Sequence, residues 1–214
     1  MTVLLFGFDP FLEFDENPSD LVVRRLHGRT IGGHAVVGRT LPVDYSIIEG
    51  QVISEIEAAR PALVIGFGLA AGRDKVTPEK VALNYVNSKT KDNSGRSLEG
   101  VPIAAGQPDA LFTNLPVEAL VGELNREAIP ASLSLSAGAY LCNYAMYVSM
   151  REAKTNGFRS GFIHIPCHAE WVARTGRQFP SLPLETILRA AEISVSFLVR
   201  TTVSDQPAPT AALA

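Results

Sequence analysis

Short apolar runs alternate with amphipathic stretches along most of this 214-residue chain, and that alternation restricts it to a layered α/β architecture. Val3–Phe8, Ala35–Leu41 and Ala62–Gly68 read as strands, as do Phe162–Pro166 and the strand-like Ala131–Ser136, with Ser132–Leu135 at its centre. The stretches between them carry helical signals. Asn17-Pro18-Ser19-Asp20 opens a helix: Asn17 caps the first unpaired N–H groups, Pro18 suits the first turn, and Leu21, Val22 and Leu26 form one apolar face before Gly28 stops it. Tyr45–Ala59 repeats Ile47, Ile48, Val52, Ile53 and Ile56 at helical spacing and ends before Pro61. Val117–Arg126, Asn143–Lys154 and Leu184–Arg200 complete the set, while Val81–Val86 has strand composition and Lys89–Gly100 reads as a polar loop. The expected fold is a three-layer α/β/α sandwich on a mostly parallel, twisted sheet, a single domain over residues 1–203. A Pro-, Ala- and Thr-rich tail at 204–214 has the composition of a disordered segment.

Composition excludes several functional classes. A hydrophobic fraction of 46% can build a core without disulfide or metal staples, and two cysteines form no disulfide framework. A formal net charge of −3 provides no basic stripe for nucleic acid. No run approaches the ~18 apolar residues of a membrane span. The N-terminal Met1–Pro10 lacks a basic region and a cleavage site, so it reads as a first strand rather than a signal peptide. The expectation is a soluble cytoplasmic protein with reduced thiols and no partnership with nucleic acid or membrane.

Chemistry concentrates around Cys142, in Ser136-Ala137-Gly138-Ala139-Tyr140-Leu141-Cys142-Asn143, between the strand-like segment and the next helix. A thiol at a helix N-terminus feels the positive end of the peptide dipoles, which favours thiolate. Free cysteines are equally often small buried hydrophobes, although Gly138 and Ala139 permit the tight turn a nucleophile needs. His164, in Gly161-Phe162-Ile163-His164-Ile165-Pro166, suits a general base or a satisfied core histidine. His168 rivals it from an exposed-looking loop. His164, Cys167 and His168 crowd too closely for a convincing zinc site, so no metal is assigned. Glu79 reads either as a loop carboxylate or as the group orienting an imidazole. The run Gly66-Phe67-Gly68-Leu69-Ala70-Ala71-Gly72-Arg73 departs from a dinucleotide loop at Ala71, and no Gly-Lys-Ser/Thr follows for a phosphate loop; it reads as a backbone path beside an active site.

Taken together, four ordered segments resemble the pyroglutamyl peptidase I family (pyrrolidone carboxyl peptidases) over residues 1–200. They are Gly7-Phe8-Asp9-Pro10-Phe11 with Asn17-Pro18-Ser19, Gly68–Arg73 with Glu79–Asn84, the cysteine segment, and the histidine segment. The resemblance implies a cytosolic cysteine exopeptidase that removes N-terminal pyroglutamyl residues from peptides, needs no cofactor and forms a homo-oligomer, tetramer or dimer. Carried over position by position, it makes Cys142 the nucleophile, His164 rather than His168 the base, and Glu79 the third member. Phe8 and Phe11 match the family's aromatic pocket positions, and Tyr140 and Leu141, beside the nucleophile, complete the wall. An uncharged lactam needs such apolar walls and a few amide-matching hydrogen bonds. The chain departs from the family at Leu12-Glu13, where Gly-Gly is usual, and at Asn87-Ser88-Lys89, where an Asp-Ala-Arg run is usual. It departs again at Pro166–Trp171 after the histidine. These departures leave two alternatives: a pseudoenzyme that binds pyroglutamyl or lactam-bearing ends without cleaving them, or an amide hydrolase with another small substrate.

Overall fold

The computed structural model describes residues 1–201; the tail expected at 204–214 lies outside the described residues. In chain order the elements are β1 (Thr2–Phe8), α1 (Pro18–Leu26), β2 (Thr30–Ile31), β3 (His34–Leu41), α2 (Ile48–Ala59), β4 (Leu63–Leu69), β5 (Thr77–Glu79), β6 (Val81–Leu83), β7 (Val86–Ser88), β8 (Leu98–Val101) and β9 (Ala110–Phe112). The second half holds α3 (Val117–Arg126), α4 (Leu141–Asn156), β10 (Arg159–Ile165), β11 (Cys167–His168), α5 (Ala169–Thr175), β12 (Ser181–Leu182) and α6 (Leu184–Arg200).

Six strands form one sheet in the order β2-β3-β1-β4-β10-β5. The four central strands run parallel, and the edges β2 and β5 run antiparallel to their neighbours. Strand alternation divides the core between the two faces. Val3 and Leu5 of β1, with Ile163 and Ile165 of β10, pack against α1, α3 and α6. Leu4, Phe6 and Phe8, with Val64 of β4 and Phe162 of β10, pack against α2 and α4. The expected α/β/α layering and largely parallel sheet are therefore present. Among the described residues no helix is long and apolar enough to cross a membrane.

Several sequence-derived details hold. Asn17 accepts a hydrogen bond from Ser19 N at 3.1 Å and caps α1, with Pro18 in the first turn. Other expectations are corrected. The Ala131–Ser136 segment is not a strand of the sheet. It touches β5 and the residue before it through isolated bridges, Val76 with Ala131 and Glu79 with Ser134. Its leucines point outward, Leu135 being 69% exposed, so it offers the sheet no apolar face. Helix α4 begins at Leu141, which places Cys142 inside the first turn rather than before it. Helix α2 begins three residues later than its periodicity suggests, because Asp44 turns the chain by accepting from Ser46 N at 2.7 Å.

The central strands carry glycine where α4 and an aromatic ring press on the sheet. A methyl built on Gly66 would stand 2.3 Å from the Phe162 ring. Gly66→Ala should therefore destabilise the fold by about 1–3 kcal/mol through overpacking, measured as a shift in denaturant midpoint without a change in slope. An unchanged midpoint would show that the ring yields freely.

Candidate active site

Strands β1, β4 and β10 end side by side at Phe8, Leu69 and Ile165, and the first turn of α4 lies over their carboxyl ends. Gly68 makes the approach possible: a methyl there would stand 2.8 Å from Cys142 Sγ and 2.8 Å from Phe162. His164 is the register partner of Gly68 in the parallel β4–β10 pair, so its side chain shares that face. The sulfur therefore rests on bare backbone on the sheet face that carries the imidazole. Phe162 braces the histidine from behind, the two rings lying 5.0 Å apart edge to face. Asn143, next to the thiol, fastens the helix start by accepting from Leu83 N at 2.8 Å and donating to Leu83 O at 2.8 Å and Tyr85 O at 3.1 Å.

Glu79 closes the arrangement from the sheet edge. It is fully buried on β5, and its Oε1 accepts from His164 Nδ1 at 2.7 Å and from Arg73 Nη1 at 2.6 Å. An ionised carboxylate can only accept, so the imidazole carries its proton on Nδ1 and presents Nε2 as a lone pair. Arg73 also donates to Thr77 Oγ1 and to Ser136 O at 3.4 Å, so it ties together the carboxylate, the edge strand and the segment leading to the nucleophile.

The electrostatics favour a neutral resting pair. Burial pushes the Cys142 thiol up to about 12; the Glu79 charge adds to this and Arg73 opposes it. Against the expectation from the helix terminus, desolvation moves the thiol away from thiolate. Burial likewise lowers His164 below 6.5, reinforced by Arg73 and opposed by Glu79. For Glu79 burial alone acts upward, but the hydrogen bond and charge of His164, with the hydrogen bond from Arg73, hold it below 4.5.

Cys142 and His164 open into a cavity of about 260 Å³ lined also by Phe8, Phe11, Tyr140 and Leu141. All seven residues singled out from the sequence are thus brought to one place, six around the cavity and Glu79 behind the histidine. The lining adds Leu12, Asn17, Val43, Leu69, Ser88, Thr90 and Ala137 and contains no acidic side chain. Lys89 is exposed, while its neighbours Ser88 and Thr90 line the wall.

His168 is not the exposed loop residue its sequence context suggests. It is 3% exposed, its Nε2 lies 2.7 Å from Glu16 Oε1, and its Nδ1 accepts from Trp171 N at 3.3 Å as the cap of α5. His164 and His168 thus answer to different carboxylates. Arg73 escaped functional assignment because a basic residue six positions before a glutamate, across a glycine-rich turn, has no fixed geometry in sequence.

A thiol on a helix's first turn, beside an imidazole oriented by a buried carboxylate, defines a cysteine hydrolase on an α/β/α scaffold. The chain belongs to the pyroglutamyl peptidase family, whose profile matches residues 1–201. It is 49% identical over 199 residues to a pyrrolidone-carboxylate peptidase of Saccharolobus islandicus, covering 93% of this chain and 95% of that one. It is 39% identical over 198 residues to the pyrrolidone-carboxylate peptidase of Oceanobacillus iheyensis, covering 92% and 98%. The structure of pyrrolidone carboxyl peptidase from Pyrococcus furiosus superposes with a TM-score of 0.90 at 35% identity, covering 93% of this chain and 98% of that one.

The lowered Glu79 value sets a sign. Its stabilisation is present above the ordinary carboxylate range and is lost as pH falls through its lower folded value. Arg73→Met should lower the unfolding free energy by about 1–2 kcal/mol near neutral pH, a charged hydrogen bond discounted for partial exposure. That deficit should shrink on acidification as Glu79 protonates. Denaturant melts of both proteins across the acid range check it; a deficit independent of pH would show that Arg73 acts by packing alone.

Proposed function

We propose that this chain removes the pyroglutamyl residue from peptide N-termini as one catalytic unit spanning residues 1–203, with Cys142 as nucleophile, His164 as base and Glu79 as the group that orients it. The observation that carries the reading is the placement of Cys142 and His164 on one apolar cavity, with the far imidazole nitrogen bound to buried Glu79. Family membership supplies the substrate class. The pocket agrees: Phe8, Phe11, Tyr140 and Leu141 offer apolar walls to a neutral lactam, and no carboxylate waits for a free amine.

The chemistry follows from the neutral pair. As the scissile carbonyl meets Sγ, the thiol proton passes to His164 Nε2, and the growing imidazolium is stabilised by Glu79. The oxyanion faces the first turn of α4, whose early N–H groups have no partner within the helix; the Cys142 N–H supplies about 3 kcal/mol if well aimed. Collapse returns the proton from Nε2 to the departing amine and leaves a pyroglutamyl thioester. Water, deprotonated by the same imidazole, then releases pyroglutamate and restores the thiol. No cofactor enters the balance.

The intact cysteine, histidine and carboxylate set favours turnover over a binding-only protein. We also infer a cytoplasmic homo-oligomer, tetramer or dimer. Exposed Phe112 and Leu135, at 71% and 69%, support an association surface, and sedimentation velocity measures the state.

Cys142→Ser should lower kcat on a pyroglutamyl amide by about three orders of magnitude or more. A serine variant retaining most of the activity would remove Cys142 from the mechanism. The base must be neutral, and its folded value lies below 6.5, so the acid limb of kcat/KM should fall below pH 6.5. Because Arg73 depresses the histidine, Arg73→Met should move that limb upward. A limb that stays in place or moves down in the variant would contradict the assignment of His164.

A further inference from the structure

The floor of the cavity is closed and its rim is not. Phe8, Val43 and Leu141 are at most 3% exposed, whereas Leu12 is 57% exposed and Thr90 is exposed as well. A pyroglutamyl ring ends the chain on itself, so nothing extends from it toward the floor. The remainder of the peptide must leave past the rim, and the residues there meet the amino acid that follows the ring. Leu12 is the large apolar residue on that rim.

Leu12 is held there against its own preference. It has φ 52°, in the left-handed region where a β-carbon is strained and glycine is the usual occupant. It is the second residue of a turn closed by Phe14 N donating to Phe11 O at 3.0 Å, a position where positive φ ordinarily calls for glycine. Such strain persists where the surroundings over-determine it. Here the flanking chain is anchored to α5 and its surroundings: the Phe14 ring lies 5.1 Å from Trp171, Trp171 Nε1 donates to Asp15 at 2.6 Å, and His168 pairs with Glu16. The anchored turn fixes a solvent-facing leucine over the mouth of the catalytic cavity.

We propose that Leu12 is the specificity-determining residue for the amino acid after pyroglutamate, an apolar lip that packs on an aliphatic or aromatic side chain there. The proposal rests on the pyroglutamyl peptidase reading above. Ser88 and Thr90, on the same lining, are polar, and Ser88 Oγ accepts from Thr90 N at 3.1 Å.

The test compares kcat/KM for pyroglutamyl-leucine and pyroglutamyl-glycine in the wild type, Leu12→Gly and Leu12→Met. The wild type should prefer leucine by roughly 10- to 100-fold, the discrimination a hydrophobic contact supplies. Leu12→Gly, which adopts the same φ without strain, should bring the ratio to within about threefold of unity. Leu12→Met should keep most of it. A wild-type ratio near unity, or a preference that survives in Leu12→Gly, overturns the proposal. If the wild type cleaves neither dipeptide, the peptidase reading fails instead. The same ratio is then read as dissociation constants by calorimetry, where a leucine preference abolished by Leu12→Gly upholds the lip and equal constants overturn it.

Discussion

The structure of the site depends on one carboxylate buried without access to water. Glu79 lies on the last strand of the sheet, where burial penalises its charge, and it stays ionised because Arg73 and His164 share its Oε1. That sharing fixes several things at once. It fixes the imidazole tautomer, since a carboxylate accepts and cannot donate. It fixes the edge strand, since Arg73 also holds Thr77 and reaches the Ser136 carbonyl. The antiparallel β5–β10 register makes the sharing possible, setting Glu79 opposite Phe162 and so within diagonal reach of His164.

The same dryness that makes the Glu79 contact strong keeps the thiol protonated. A cysteine raised to about 12 is a poor nucleophile alone, and a histidine below 6.5 is a poor proton store alone. In the proposed mechanism the two exchange one proton, and the cavity lining carries no Asp, Glu, Lys or Arg side chain. A neutral lactam suits that cavity because its entry adds no charge to desolvate. In the proposed reaction charge appears as the carbonyl is attacked, where the helix terminus stabilises the oxyanion and Glu79 the imidazolium. The arrangement thus concentrates its electrostatic stabilisation on the transition state rather than on the bound substrate.

The sequence made the strands and helices that bury continuous apolar faces legible, because periodicity records burial: β1, β3, β4, β10, α1, α3 and α6 all stand close to where it puts them. It failed at Ala131–Ser136, whose alternating serines and leucines mimic a half-buried strand while the leucines face outward beside an edge. The segments carrying Cys142, His164 and Glu79 were legible as ordered motifs, and the fold brings the three side chains together. Their electrostatics were not legible, since helix position favours a thiolate while burial, invisible in sequence, pushes the thiol the other way. Arg73 and the buried state of His168 were hidden for a related reason: both depend on partners, Glu79 and Glu16, brought close only by the fold.

The cavity wall extends this argument. Its Phe11–Phe14 turn is short, carries a residue in a strained conformation and lies among exposed neighbours, yet it holds the Phe11 ring in the cavity lining. Its order comes from elsewhere, through Phe14 against Trp171 and Phe179 at 5.1 and 5.6 Å, and through Asp15 and Glu16 bound to Trp171 and His168. The Cys167–Trp171 run, which follows the histidine strand, supplies those anchors. Leu12-Glu13 and Cys167–Trp171 are therefore structurally linked: a leucine stands where the turn strains, and a buried histidine and tryptophan hold that turn in place. Two segments far apart in the chain act on one loop in the fold.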